Sequence, residues 1–493
     1  MKPLSKSVTV GMVRRTKIIA TIGPSTHNPE VLIKLLHEVD AVRINLAHGS
    51  WDGDESNHRK TIKNIQKIAR KINKPIGILA DLKGNKLRVG DFKNEKINLV
   101  EGSEITIRLK DSDSIKAPNE IYINSIEIMQ LIEVGDQILL DDGQIQIEVV
   151  GISKDASKIS CKIIKGGELA SRKGFEVKDK TLRQQGLTDR DKKDLEKLSA
   201  CGVDWIALSF VNNETDVTQA KEILNSLGSN ALVISKIERA AALEQLDEII
   251  DASDGIMVAR GDLALQVGSA HLTGLQKEII EKTVMGKKIV ITATQMMESM
   301  IHNQTPTRAE ITDVSNAVLD GTDAVMLSAE TAIGEYPLET VRAMAEVCQG
   351  AEQYQQTLPE TENTLISEFK TIDEAIAIAS MRIAKKMNIK AVIALTETGS
   401  TAKMMSRLRY NVPIFAFTRS KYTQRRVSLC RGVIPYPYIP PEGNAYELFL
   451  EISKRMIRTG EVKVGDTVIL TNGTVTGVSG QTNTLRIMNI IDK

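Results

Sequence analysis

Lys236, Glu238 and Asp262 are residue types that hold an anion beside a metal ion. Lys236 and Glu238 stand two apart in Leu232-Val233-Ile234-Ser235-Lys236-Ile237-Glu238, so an extended chain turns both to one side. Asp262 closes the run Asp254-Gly255-Ile256-Met257-Val258-Ala259-Arg260-Gly261-Asp262. Both runs are short apolar stretches bounded by polar residues or glycine, the pattern of buried parallel strands. An ammonium and two carboxylates converging at neighbouring strand exits fit a divalent cation next to an anionic substrate.

The elements that position them follow a βα rhythm. Lys17 to Ile22, Ala41 to Asn45 and Pro75 to Asp81 read as strands, with helices over Pro29 to His37 and about Ser56 to Lys71. After an interruption the rhythm resumes with a helix at about Asp189 to Ala200. Strands follow at Trp205 to Phe210, Leu232 to Glu238, Asp254 to Asp262, Lys288 to Thr292 and Asp323 to Leu327. Eight βα units exiting into polar residues predict an α/β fold built on a (β/α)₈ barrel with its site at the strand carboxyl ends. An open doubly wound sheet is the alternative that the same pattern allows.

The interruption, about Leu82 to Lys178, loses helical periodicity and alternates polar with apolar, as in Ile105 to Leu109 and Gln144 to Val149. Asp142-Gly143 between Gln137-Ile138-Leu139-Leu140 and the latter is a hairpin signal. An inserted all-β domain here would hang over the strand ends as a lid. Beyond a helix at about Pro337 to Tyr354, the acidic stretch 359–363 reads as a linker to a smaller α/β domain with strands at Ala391 to Leu395, Pro413 to Phe417 and Asp466 to Leu470. The expected domains are 1–82 with its N-terminal arm and 179–355 for the barrel, 83–178 for a β-barrel lid, and 356–493 for the C-terminal domain. No internal repeat of tens of residues is evident.

Composition narrows the function. A chain of 493 residues with net charge +1 has no unopposed basic surface for nucleic acid or an anionic membrane. No run of about 18 apolar residues and no signal-peptide core occurs, which predicts a cytoplasmic protein. Four scattered cysteines, Cys161, Cys201, Cys348 and Cys430, predict reduced thiols rather than a zinc site or disulfides.

The strand exits together supply Arg43, Asn45, Asp81, Lys236, Glu238, Gly261, Asp262, Thr294, Ser328 and Glu330. A hydrolase triad needs a histidine, and only His48 stands near a strand exit. Two cations with two carboxylates instead suit phosphoryl transfer, in which the protein positions reactants and neutralises charge. No G-x-x-x-x-G-K-[ST] loop is present, so a nucleotide must be held without one.

Several long strings carry a resemblance: Lys17-Ile18-Ile19-Ala20-Thr21-Ile22-Gly23-Pro24, Val42-Arg43-Ile44-Asn45, Ser235-Lys236-Ile237-Glu238, Met257-Val258-Ala259-Arg260-Gly261-Asp262-Leu263, Thr294-Gln295-Met296-Met297-Glu298-Ser299-Met300 and Asp323-Ala324-Val325-Met326-Leu327-Ser328-Ala329-Glu330-Thr331. The chain resembles the pyruvate kinase family along nearly its whole length. The resemblance implies transfer of the phosphoryl group of phosphoenolpyruvate to ADP, giving pyruvate and ATP in glycolysis. It implies that Lys236 stabilises the transferring group, that Glu238 and Asp262 bind Mg²⁺ or Mn²⁺, and that Arg43 contacts phosphate. Gly261 and Thr294 would hold the substrate carboxylate, Asn45, His48, Arg88 and Lys173 the nucleotide, and Ser328 and Glu330 would relay the enolate's proton. A homotetramer is implied too.

The chain departs from the family's K⁺ site. Ala47 and Leu82 stand where hydroxyl ligands are usual beside Asn45 and Asp81, and Lys86 stands where K⁺-requiring members carry Glu. The resemblance therefore implies a K⁺-independent enzyme with the Lys86 ammonium in place of the ion. Ala264 and Gln266 replace a usual Gly and Glu. In the C-terminal domain, Thr396-Glu397-Thr398-Gly399-Ser400-Thr401 leaves a strand and opens a helix, a phosphate-binding geometry. There the family binds allosteric effectors, a sugar monophosphate or AMP in the members that this chain resembles. N-capping alone would also explain those hydroxyls. A barrel lyase or mutase acting on phosphoenolpyruvate and a non-catalytic sugar-phosphate sensor are the competing functions.

Overall fold

The computed structural model describes residues 13–52, 57–109, 119–155, 157–178, 180, 187–358, 369–438, 445–473 and 482–491. The expected linker at 359–363, the expected helix start at Ser56 and most of the N-terminal arm lie outside these residues.

Eight strands, Lys17–Thr21, Ala41–Asn45, Gly77–Asp81, Trp205–Leu208, Leu232–Ile237, Gly255–Ala259, Ile289–Ala293 and Ala324–Leu327, pair in parallel and close into a barrel, the last against the first. Closure excludes the open sheet. Burial on both faces explains the near-continuous apolar runs. Ile18, Ile78, Val233, Ile256 and Val325 join the cluster shared with the surrounding helices. Their neighbours Ile19, Leu79, Ile234, Met257 and Met326 fill a separate interior cluster. The same two-residue period carries Ala41 to Arg43, Leu79 to Asp81, and Ile234 to Lys236, so the polar groups at the carboxyl end belong to the interior face.

The sixth strand is shorter than expected. It ends at Ala259, and Arg260–Val267 forms a helix. Asp262 in its first turn complements the positive end of the helix dipole.

At the opposite end the barrel has a fourfold repeat. Asp40, Asp204, Asp254 and Asp323 each precede an even-numbered strand, and each accepts a hydrogen bond from the second N–H of the strand before it: Ile18 (2.9 Å), Ile78 (3.0 Å), Val233 (2.9 Å) and Val290 (3.0 Å). Each also carries cations: Arg14 and Lys17 on Asp40, Arg425 on Asp204, Lys221 on Asp254, Arg407 and Arg409 on Asp323. Arg407, Arg409 and Arg425 come from the C-terminal domain, whose apolar residues Ala377, Met405 and Val427 share the barrel's interior cluster. The C-terminal domain thus closes the amino ends of the strands and leaves the carboxyl ends to the lid.

The inserted segment builds a six-stranded sheet in the order Phe175–Val177, Gln137–Leu140, Ile145–Ile152, Lys158–Lys165, Glu104–Leu109, Glu120–Ile123, and a second sheet of Lys96–Leu99 with Gly167–Ala170. The hairpin around Asp142-Gly143 forms as expected, with Leu140 opposite Ile145. A short helix, Ile126–Leu131, went unread, because six residues show too little period. In the C-terminal sheet the order is Val433–Pro437, Ile414–Thr418, Ala391–Leu395, Thr467–Gly473, Thr482–Asn489. Both edge strands went unread: one carries Pro435 and Pro437, tolerated at an edge, and the other is largely polar.

Among the described residues no helix is long and apolar enough to cross a membrane. All four cysteines are free.

Candidate active site

At the carboxyl ends the interior side chains form one linked network. Lys236 Nζ lies 2.8 Å from Glu238 Oε1 and 3.4 Å from Asp81 Oδ1, and it donates to Ser209 Oγ at 2.8 Å. The other oxygen of Asp81 accepts from Arg43 Nε at 2.7 Å, while Arg43 Nη1 donates to Thr21 Oγ1 at 3.1 Å. Burial works against the Lys236 ammonium, but Asp81 and Glu238 outweigh it and hold its pKa above the ordinary value. For Asp81, Lys236 and Arg43 outweigh burial and keep the carboxyl below its usual range.

Glu238 is 1% exposed. Its second oxygen accepts the Phe210 N–H at 2.7 Å, which Phe210 delivers from a left-handed backbone at φ +59°. Burial raises the Glu238 pKa, and the negative charge of Asp262 adds to that. Asp262 itself meets Lys86 Nζ at 2.7 Å, and the same ammonium reaches Asp142 of the lid at 2.9 Å. Among the described residues no three His, Cys, Asp or Glu side chains gather into a cage. Two hard carboxylates at neighbouring strand exits still suit Mg²⁺, which takes its remaining ligands from substrate oxygens and water.

Thr294 follows the seventh strand in a left-handed conformation, φ +69°, and Gln295 continues at φ +52°. A β-branched residue holds such a backbone only where its surroundings impose it. Arg260 supplies the constraint: it is 5% exposed and donates to Thr294 O at 2.6 Å and Ala293 O at 3.2 Å, anchored on Asp313 at 2.6 Å. The strain aims Thr294 Oγ1 at the Gly261 N–H, 2.8 Å away.

A cavity of about 370 Å³ opens beside the network and is lined by Arg43, Asn45, His48 and Ser328, with Pro24 and Ile333 among its apolar walls. Burial, then the charges of Arg88, Arg43 and Lys83, lower the His48 pKa. Arg88 and Lys173 are not among its lining residues. Arg88 donates to Arg172 O at 2.9 Å, and Lys173 pairs with Asp141 at 2.8 Å. Glu330 lies buried behind Ser328, accepting the N–H groups of Ser328 at 2.6 Å and Met297 at 3.2 Å, and burial raises its pKa.

The residues of the expected cation site divide. Asn45 Oδ1 accepts the Ala47 N–H at 3.0 Å and Asp81 is taken by two cations, whereas Lys86 sits on Asp262 instead. Ser209 was missed although it stands at a strand exit like the others. Arg260 was missed because nothing in its spacing reveals a buried hub.

The effector loop leaves Ala391–Leu395 where the strand order reverses, the position at which open α/β sheets bind ligands. Gly399 N–H donates to Thr396 Oγ1 at 2.9 Å, Glu397 pairs with Arg419 at 3.0 Å, and Thr401 Oγ1 meets Thr482 Oγ1 at 2.8 Å. Gly399 has φ +84°, and a Cβ there would sit 2.5 Å from Val427 Cγ1. Thr398 is exposed and Ser400 half-buried.

Comparison with known proteins matches residues 13–341 to the pyruvate kinase barrel domain and 374–488 to the pyruvate kinase alpha/beta domain. A pyruvate kinase of Buchnera aphidicola subsp. Schizaphis graminum is 42% identical over 483 residues, 97% of this chain and 99% of that protein. A pyruvate kinase of Haemophilus influenzae is 40% identical, covering 94% and 96%. Pyruvate kinase II of Salmonella typhimurium is 38% identical, covering 97% and 99%.

Proposed function

The chain belongs to the pyruvate kinase family, and from that premise we propose that it transfers the phosphoryl group of phosphoenolpyruvate to ADP. The P–O bond to the enol oxygen breaks, a bond to the β-phosphate of ADP forms, and the enolate takes a proton at carbon to give pyruvate. The observation that carries this reading is the Arg43–Asp81–Lys236–Glu238 network, whose Arg43 lines the cavity and which fixes two cations beside two carboxylates.

In this reading Lys236 and Arg43 face the phosphoryl group, held by Asp81 so that little reorganisation is needed as charge develops. Glu238 and Asp262 would hold Mg²⁺, with Mn²⁺ as its substitute, and the ion would supply positive charge to offset that of the substrate's oxygens. The substrate carboxylate lies at Gly261 and Thr294, where a helix begins. Asn45 and His48 in the cavity take the nucleotide, with Arg88 and Lys173 reaching it from outside the cavity's lining. Ser328 delivers the enolate's proton, and Glu330 behind it is a buried carboxyl whose raised pKa favours holding one.

K⁺ is not required, because Ala47 and Leu82 offer no ligand hydroxyls and Lys86 supplies a permanent positive charge. That charge acts at Asp262 rather than at Asp81. Residues 396–401 bind the phosphate of a sugar monophosphate or AMP, and the active form is a homotetramer. Division of the chain at 82, 178 and 355 follows the roles of barrel, lid and effector domain. The test is pyruvate formation from phosphoenolpyruvate, ADP and Mg²⁺, with and without K⁺. Pyruvate released without ADP would instead identify hydrolysis of the phosphate ester, with inorganic phosphate as the second product, and no pyruvate at all would leave the lyase or mutase reading.

A further inference from the structure

The cavity beside the network carries its permanent charge at one residue. Among its described lining residues that residue is Arg43, which belongs to the phosphoryl side through its pairing with Asp81. Three histidines also line it, and burial lowers the pKa of each: His27, His48, and His58, which falls to about 4. All three are therefore neutral at pH 7. Neutral imidazoles beside the apolar Pro24 and Ile333 suit an uncharged planar group. A nucleotide held here sets its diphosphate toward Arg43 and its base among the histidines.

Two of those histidines are braced by a residue outside the lining. Trp51 stands in the chain between His48 and His58, and it donates its indole N–H to Asp194 Oδ1 at 2.7 Å. Asp194 is 3% exposed on the helix Asp189–Cys201, whose same face presents Arg190 one turn before it and Lys197 one turn after. Arg190 Nη2 donates to Leu46 O at 3.4 Å, and its Nε lies 3.7 Å from Asp194 Oδ2. Lys197 Nζ stands 5.6 Å from the centre of the Trp51 ring. That ring in turn meets His58 edge to face, with 5.2 Å between centres and 71° between planes. The backbone repeats the connection, since the His58 N–H donates to Ser50 O at 3.0 Å and Asn57 Nδ2 donates to Trp51 O at 2.8 Å. Trp51 thus joins the helix Asp189–Cys201 to the start of the helix His58–Lys71, with the His48–Ser50 loop fixed between them.

We propose that Trp51 and Asp194 are positioning residues for the base of the nucleotide, their hydrogen bond fixing the loop that carries His48 and Gly49 and the ring that orients His58. A hydrogen bond to a carboxylate is short and directional, which suits it to holding a loop in one place. Among the described residues neither side chain bonds to Arg43, Asp81, Lys236 or Glu238, so the clamp acts on the base and leaves the phosphoryl network in place. The proposal rests on the nucleotide assignment made in the phosphotransfer reading.

The experiment uses the full chain, the variants Asp194→Ala, Trp51→Phe and Asp194→Asn, and two phosphoryl acceptors: ADP, and ribose 5-diphosphate, which lacks the base. Asp194→Ala and Trp51→Phe each remove the hydrogen bond. Both should raise the KM for ADP about tenfold, the lower end of what a hydrogen bond to a charged group contributes, while kcat changes less than about threefold. With ribose 5-diphosphate, kcat/KM should change less than about threefold, because no base meets the braced wall. Asp194→Asn keeps an oxygen that accepts the indole N–H, and should stay within about threefold of wild type with ADP. An unchanged KM for ADP in Asp194→Ala, equal losses with the two acceptors, or an Asp194→Asn no better than Asp194→Ala overturns the proposal. Should Asp194→Ala fail to fold, Trp51→Phe is read by the same comparison of acceptors. A wild-type chain that makes no pyruvate refutes the phosphotransfer reading, and calorimetric binding of the two diphosphates to the same variants then judges the clamp. A wild-type chain that binds no ADP overturns both.

Discussion

Replacing Lys236 with methionine keeps most of the side chain's length and removes its charge, together with the hydrogen bond to Ser209. At an effective dielectric of about 20, a 2.8 Å pairing with Glu238 and a 3.4 Å pairing with Asp81 correspond to roughly 6 and 5 kcal/mol of attraction. That exceeds the several kcal/mol lost on burying an ammonium, so the cation stays charged and fixed before substrate arrives. Its removal has two consequences of similar size. The rate should fall by ~10³ to 10⁵, the cost of losing a cation that neutralises a phosphoryl transition state. Stability should fall by about 3 to 5 kcal/mol, because Glu238 is left buried without its partner. Single-turnover pyruvate formation separates the two when run below the melting temperature, with the folded fraction measured by circular dichroism and phosphoenolpyruvate binding measured calorimetrically. The expected variant is folded, binds phosphoenolpyruvate and scarcely turns over. A folded variant retaining a tenth of the wild-type rate refutes the role given to Lys236.

Exchanging K⁺ for Na⁺ or tetramethylammonium should change the wild-type rate by less than about twofold, since the Lys86 charge is covalently supplied; a many-fold rise with K⁺ counts against it. Thr294→Val should lower kcat/KM by ~10² to 10³ through loss of one oriented hydroxyl, a loss that a carboxylate-free substrate analogue would not show. Asp40 is held at about 2, because Arg14, Lys17 and Lys74 outweigh the effect of burial, against an ordinary 3.8. A lowered folded value means that its stabilisation is present above 3.8 and lost as pH falls through 2. Asp40→Asn should therefore cost about 2 kcal/mol at pH 7 by denaturant melts, and the gap from wild type should narrow only below about pH 4. A gap that stays constant down to pH 2 would show that Asp40 acts without its charge.

How much could be read before the fold was known depended on the range of each signal. The barrel strands were legible because burial on both faces writes apolar runs directly into the chain. Period two then turned Lys236 and Glu238 to one side of their strand, since that inference needs only neighbours in sequence, whereas Arg43 and Asp81 joined them only once the barrel closed. The hairpin at Asp142-Gly143 was legible for the same reason. The helix beginning at Arg260 was not, because an apolar run does not mark where a strand gives way to a helix whose start is stabilised by Asp262.

Contacts between distant residues were decided only by the tertiary structure. Lys86 reaches Asp262 across 176 residues of chain, a pairing fixed by where the lid comes down rather than by any spacing. The fourfold aspartate repeat at the barrel floor shows no sequence period, because connections of unequal length separate its members; it exists as a repeat only once the strands are in register. The residue types at the strand exits thus determined the chemistry available to this protein. Barrel closure and the seating of the lid determined which of those groups share a charge, since electrostatic coupling depends on distances in space that the linear chain does not contain.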